Sequence, residues 1–265
     1  MRALDPRIDP GEFFGRVARA PVRVLMLDYD GTLAPFQVRP ERAVPYPGVE
    51  EVLDEIMAAE RSRVVIVTGR TVGDLVPLLN LHQRPELWGT HGGERLLPDG
   101  RGARAELDEG VRRRLNEGER RVRELSRVGG RVEIKPASVA LHWRGTSALA
   151  AARMREALPQ LWEPLAADGE LELLEFDGGM ELRARACNKR NAIESVLAET
   201  PGDAAVAYLG DDFTDEDAFA AVKARGLAVL VRREFRETAA DVWIRPPREL
   251  IAFLRSWRDA CRSGK

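Results

Sequence analysis

Leu27-Asp28-Tyr29-Asp30-Gly31-Thr32-Leu33 decides how this chain is read, because it grows directly out of the apolar run at residues 22–27, VRVLML. A short apolar run of that kind predicts a parallel strand buried on both faces. In open α/β sheets the carboxyl ends of strands at the switch point face the ligand crevice, so acids at this position are placed for chemistry. Asp28 and Asp30, two apart on an extended strand, start out pointing the same way. Gly31 then lets the chain turn sharply, so the two carboxylates can separate into different roles. Taken alone, the segment could also be a solvated acidic turn.

Working outward, residues 63–67 (RVVIV) read as a second buried strand. Between the two strands, residues 48–59 place Val49, Val52, Leu53 and Ile56 at helical spacing. The same alternation returns later, with strands at 204–209, 227–231 and 241–244 and helices at about 215–222 and 247–257. The expected fold is α/β, a doubly wound parallel sheet. The middle reads differently. A charged helix at about 106–126 leads into paired strands VEIKP and SVALHWR, then a helix at about 147–161, then LELLEF and MELRAR. Asp177-Gly178-Gly179 is a hairpin turn signal between the last two strands. This αββαββ block predicts an inserted, smaller α+β cap over residues 105–185, with residues 1–104 and 186–265 forming the core. Its two strand pairs are expected to make one four-stranded antiparallel sheet.

Composition narrows the function. The 265 residues carry 41 basic and 43 acidic side chains, a net charge of -2, so no global field draws the protein to nucleic acid or anionic lipid. Any phosphate must be held locally. Cys187 and Cys261 are too few for a disulfide framework, and no Cys-x-x-Cys or Cys/His grouping offers a zinc site, which predicts reduced thiols and a cytoplasmic location. No stretch approaches ~18 uninterrupted apolar residues, so neither a secretion signal nor a membrane span is expected.

A second acidic cluster, Gly210-Asp211-Asp212-Phe213-Thr214-Asp215-Glu216-Asp217, follows the strand AAVAYL and would reach the same sheet edge as Asp28. Crowded carboxylates repel one another unless a cation neutralises them, and a hard divalent ion, most simply Mg²⁺, resolves the conflict. An acidic helix N-terminus is the structural alternative. Thr68-Gly69-Arg70 closes the second strand, where a hydroxyl and exposed N–H groups suit phosphate oxygens, or where a threonine caps the helix beginning near Thr71. Lys189 opens a predicted helix, where a buried or half-buried ammonium could balance a nucleophile and an incoming phosphate, a solvated surface charge being the structural alternative.

Together, in this order, these four segments resemble the four motifs of haloacid dehalogenase (HAD) superfamily phosphatases. The resemblance implies that Asp28 is a nucleophile forming an aspartyl-phosphate and Asp30 the general acid and base. It implies that Asp28, the backbone carbonyl of Asp30, and Asp211 bind Mg²⁺, supported by Asp215, while Thr68 holds phosphate and Lys189 sits between nucleophile and phosphate. It also implies a cap of the type called C2. A narrower resemblance, to trehalose-6-phosphate phosphatases, rests on LDYDGTL, Gly89-Thr90-His91-Gly92 with Glu94, Val132-Glu133-Ile134-Lys135, Leu141-His142-Trp143-Arg144, Glu181-Leu182-Arg183 and GDDFTDEDAF. It implies substrate contacts from Gly69, Arg70 and His91 in the core. In the inserted block it implies Glu133, Lys135, His142, Arg144, Glu181 and Arg183, with Glu133, Lys135 and Glu181 gripping the distal glucose. The implied activity is Mg²⁺-dependent hydrolysis of trehalose 6-phosphate in trehalose biosynthesis.

The chain departs from that family's usual pattern at Arg190 (glycine), Ala184 (proline), Trp143 (tyrosine) and Thr90 (glutamate). Sucrose phosphate and glycosyl-phosphoglycerate are therefore alternative substrates, and a catalytically retired, sugar-phosphate-binding regulatory domain is the alternative from another class. The expected partner is a small sugar phosphate, with no nucleic acid and no membrane, acting on a monomer.

Overall fold

A strand apolar on both faces needs helices on both sides, and that requirement organises the first of two compact units, Met1–Ala103 with Lys189–Lys265. The structure is a computed structural model describing residues 1–37, 39–59, 61–176 and 178–263. The chain runs β1 (Arg2–Ala3), α1 (Pro10–Arg19), β2 (Arg23–Leu27), α2 (Val49–Met57), β3 (Ser62–Val67), α3 (Val72–Leu75), β4 (Glu86–Gly89), β5 (Glu94–Leu96) and β6 (Gly102–Arg104). The inserted segment holds α4 (Glu109–Leu125), β7 (Arg131–Lys135), β8 (Ser138–His142), α5 (Ala148–Ala166), β9 (Leu171–Phe176) and β10 (Gly179–Ala184). Then follow α6 (Lys189–Ala198), β11 (Ala205–Gly210), α7 (Glu216–Lys223), β12 (Leu227–Val231), β13 (Val242–Ile244) and α8 (Arg248–Ser263).

The large sheet has the order β1-β13-β12-β11-β2-β3-β4-β5-β6 and is parallel from β13 to β4. Leu25 and Leu27 of β2 pack toward α1, α2 and α8, while Val24 and Met26 pack toward α6 and α7. This is the doubly wound arrangement expected from the sequence. Its edges differ: β1 on β13 and β5 on β4 are antiparallel. The turn from β4 to β5, Thr90–Gly92, is far too short for a parallel crossover.

Two helices outrun their expected ends. α8 continues past residue 257 because Ala260 and Cys261 extend its buried face. α5 continues past residue 161 despite Pro159 and Pro164, since Leu158, Trp162 and Leu165 are buried and Trp162 Nε1 donates to the Gly118 carbonyl at 3.1 Å. α1 goes beyond the elements expected from periodicity. Its signal is local: Asp9 caps it by accepting from the Gly11 N–H, and Pro10 fills the first turn.

The second unit, Arg104–Asn188, is a four-stranded antiparallel sheet in the order β7-β8-β10-β9. One face packs Val139, Leu141 and Leu182 on Val111, Leu115, Val122, Leu158 and Trp162 of α4 and α5. Strand alternation sends Glu133, Lys135, His142, Glu181 and Arg183 to the other face, with Ala140 opposite both Glu133 and Glu181. At the expected hairpin turn Gly178 takes φ +86°, whereas Asp177 lies outside the described residues.

Candidate active site

Register in the first unit brings the acids together. Leu27 stands opposite both Ile66 and Leu209, so Asp28, Thr68 and Asp211 leave the sheet at the same edge. That edge lies where strand order reverses, with β3 and β4 to one side of β2 and β11, β12 and β13 to the other. Asp28, Asp211 and Asp215 are all buried there, with carboxylate oxygens within 4.8 Å of one another.

Lys189, the first residue of α6, answers them. Its Nζ donates to Asp28 Oδ1 and to Asp215 Oδ1, each at 2.6 Å. The Asp28 Oδ2 accepts from the Thr32 hydroxyl at 3.2 Å. Asp215 is fully inaccessible and takes four donors: Lys189, the Tyr208 hydroxyl, and the N–H groups of Asp211 (3.0 Å) and Asp212 (2.9 Å). A carboxylate has about four lone-pair sites, so Asp215 is the anchor that folds the loop and places Asp211.

Burial pushes the Asp28 carboxyl up to about 7 against the pull of Lys189. Burial, then the charges of Asp28 and Asp215, push Asp211 well above the usual carboxylate range. Burial alone would lower Lys189, but Asp215 and Asp28 outweigh it and hold the ammonium above its ordinary value. Three carboxylates and one ammonium leave two uncancelled negative charges when all are ionised. The donor set is oxygen only, which suits a hard divalent cation. Gly31 makes the site possible, since at φ +85° a Cβ there would stand 2.2 Å from Asp211 Oδ2.

Asp30 separates from this cluster, as the Gly31 turn allows. Arg70 Nε and Nη2 donate to its two oxygens, both at 2.7 Å, and Arg70 Nη1 donates to the Pro40 carbonyl. Arg70, expected among the substrate contacts, is thus committed to Asp30 here. The cap of α3 is Thr71, whose hydroxyl accepts from the Asp74 N–H at 3.1 Å. Thr68 is therefore not the helix cap; its hydroxyl accepts only a 3.2 Å bond from the Arg70 N–H among the bonds resolved for it. Thr90 and His91 both take left-handed φ, 49° and 56°, an uncommon conformation for non-glycine residues. Their N–H groups bond to the Arg70 and Thr68 carbonyls at 2.7 and 2.8 Å, tying the two loops together. The His91 ring then lies over Gly69, where a Cβ would be 2.5 Å from Nε2. Glu94 accepts from the Val72 N–H at 2.9 Å.

The polar face of the second unit is a separate network. Glu133 Oε2 lies 2.6 Å from His142 Nε2, Lys135 Nζ is 3.6 Å from Glu133 and 3.7 Å from Glu181, and the Ser138 hydroxyl donates to Glu181 at 2.5 Å. The His142 contact, opposed by partial burial, draws Glu133 down to about 2. Arg183 instead pairs with Glu172 at 2.6 Å, and Arg144 is exposed beside Gly178. Sequence reasoning missed Thr32, Tyr208 and Ser138. Thr32 stands inside the quoted motif and was open to notice; Tyr208 and Ser138 matter only through folded neighbours.

A solved haloacid dehalogenase-like hydrolase from B. subtilis has the same fold, with a TM-score of 0.63 over 88% of this chain and 99% of that one at 16% identity. The family is shown by sequence: the model described as trehalose-phosphatase matches residues 26–241, and the chain belongs to that family. The trehalose-phosphate phosphatase of Mycobacterium marinum is 30% identical over 248 residues, covering 88% of this chain and 60% of that protein. The chain thus spans about 60% of that relative's length. The solved trehalose-6-phosphate phosphatase of Aspergillus fumigatus is 26% identical with a TM-score of 0.71, covering 96% of this chain and 98% of that one. Among the described residues no helix is long and apolar enough to cross a membrane.

Proposed function

We propose that this chain hydrolyses trehalose 6-phosphate to trehalose and inorganic phosphate, with Mg²⁺ and through an aspartyl-phosphate on Asp28. The observation that carries the reading is the buried group of Asp28, Asp211 and Asp215 with Lys189 between two of them, in a chain of the trehalose-phosphatase family. Asp28 and Asp211 would hold the metal, with Asp215 behind them. When bound, the metal supplies positive charge that cancels repulsion between these carboxylates and the phosphate.

The protein's own residues account for the rest. Lys189 orients the Asp28 carboxylate and favours its anionic form, against burial, for attack on phosphorus. As the bond from phosphorus to the sugar oxygen breaks, the leaving oxygen takes a proton from Asp30. Asp30, now a carboxylate, removes a proton from water, whose oxygen attacks the phosphorus and frees Asp28 with inorganic phosphate. Arg70 holds Asp30 through both oxygens, which uses two of the carboxylate's about four lone-pair sites and leaves the others for the proton. Thr68 would donate to a phosphate oxygen. In the second unit Glu133, Lys135 and Glu181 would bond the sugar hydroxyls, which both donate and accept.

Phosphate release measured over trehalose 6-phosphate, sucrose phosphate, glycosyl-phosphoglycerate and simpler sugar phosphates, with Mg²⁺ and with excess chelator, tests the reading. Turnover is expected with trehalose 6-phosphate foremost and should vanish with chelator. Preference for another member of the panel would reassign the sugar. Binding without turnover would make the chain a regulatory domain, and undiminished activity in chelator would remove the metal from the mechanism.

A further inference from the structure

The loop that presents Asp211 is held from behind by two arginines of the segment after β12. Arg232 Nη1 donates to the Asp211 carbonyl at 3.2 Å. Arg236 Nη2 donates to the Asp212 carbonyl at 2.7 Å, and its Nη1 reaches both the Glu237 carbonyl and the Glu216 carboxylate. The second Glu216 oxygen accepts from the Ala239 N–H at 2.6 Å, closing a bridge between α7 and the arginine segment. The Arg236 guanidinium also lies 4.5 Å from the centre of the Phe213 ring and is only 12% exposed. Arg232 is fixed in turn, its N–H donating to the Ile244 carbonyl and its own carbonyl accepting from Trp243 Nε1 at 2.8 Å.

What these arginines avoid is as informative as what they touch. A guanidinium beside an acidic cluster ordinarily pairs bidentately with a carboxylate, which here would compete with a cation for the same oxygens. Among the described residues neither Arg232 nor Arg236 forms an ion pair with Asp28, Asp211 or Asp215; both bond the peptide carbonyls of the Asp211-Asp212 turn instead. Their charge offsets the acid-rich loop, and their geometry fixes the backbone from which Asp211 projects. We infer that Arg232 and Arg236 are positioning residues that set the Asp211 loop for the metal before the metal arrives, an inference that rests on the metal-holding role proposed for Asp211.

The test is Mn²⁺ binding to the metal-stripped full chain, followed by electron paramagnetic resonance of the free ion, for Arg232→Met, Arg236→Met and Asp211→Asn. Each arginine variant is expected to raise the Mn²⁺ Kd by about 10–100-fold, the usual effect of losing a group that orients a ligand. Its kcat should recover at saturating metal, which a merely structural role would not allow. Parent-like Kd in both arginine variants, with Asp211→Asn having lost Mn²⁺, overturns the positioning role alone. Parent-like Kd in Asp211→Asn overturns the metal reading, and the positioning role with it. If a methionine variant does not fold, Arg236→Lys decides, since a lysine keeps the charge but not the fork that spans the Asp212 carbonyl and the Glu216 carboxylate. A raised Kd in it supports the inference, and a parent-like value sinks it.

Discussion

The two units carry their charged residues in opposite ways. In the first, Asp28, Lys189, Asp211 and Asp215 converge from three sequence-distant segments at the ends of parallel strands and are almost wholly buried. In the second, Glu133, Lys135, His142 and Glu181 lie along one face of an antiparallel sheet, their partners set by strand alternation. The electrostatic results diverge accordingly. Burial lifts Asp28 toward 7, whereas the His142 contact draws Glu133 down to about 2. When ionised, the first arrangement keeps negative charge that a cation can cancel; the second pairs its charges internally. The proposed chemistry draws on the former, and the proposed contacts to sugar hydroxyls on the latter.

The largest effect should come from Asp28→Asn, which keeps the shape but removes the attacking oxygen's charge. Turnover should fall by roughly 10⁴-fold or more, as when an enzyme loses its nucleophile. Retention of even a few per cent, with deamidation excluded by mass spectrometry, would show that the buried cluster is not the chemical site. Asp30→Asn should follow, with a loss of roughly 10²–10⁴-fold for trehalose 6-phosphate. An aryl phosphate, whose leaving group needs little protonation, should lose less in single-turnover phosphorylation. Equal losses on both substrates would contradict the acid role.

The second unit should respond differently. Glu133→Ala and Glu181→Ala should each lower kcat/KM for trehalose 6-phosphate by about 1.5–3 kcal/mol, the range for hydrogen bonds to charged groups. A small aryl phosphate has no sugar hydroxyls to lose, so its hydrolysis should hardly change. Matching losses on the two substrates would erase the contrast between the units, and no loss on either would return these side chains to a purely structural network.

The smallest effect is one of stability. Glu133 is held at about 2 in the folded chain against an ordinary 4.5, so its ionised form favours folding. That contribution is complete above about pH 4.5 and is lost as pH falls toward 2. Urea unfolding in chelator should therefore give a gap between parent and Glu133→Gln that is present at about pH 5 and narrows as pH falls toward 2. A gap that widened as pH fell below about 4 would contradict the lowered Glu133 value.

Much of this was legible in the chain. The apolar runs at 22–27, 63–67 and 204–209 forecast β2, β3 and β11 to within a residue, and the acids at their ends forecast the cluster. Gly31 forecast the turn that parts Asp28 from Asp30. Other features were opaque. Pro159 and Pro164 argue locally against the last turns of α5, yet buried Trp162 and Leu165 keep them helical. The pairing of Arg70 with Asp30 was hidden because the two lie forty residues apart.

What the sequence determined by itself is the alternation of elements and the residue types delivered to one sheet edge, because periodicity and turn chemistry act over a few neighbours. Only the tertiary structure decided which charges pair: Lys189 with Asp28 and Asp215, Arg70 with Asp30, Arg236 with the Asp212 carbonyl, Arg183 with Glu172. Pairing depends on distances between strands and loops remote in the chain, and a charge takes whichever partner burial leaves within reach.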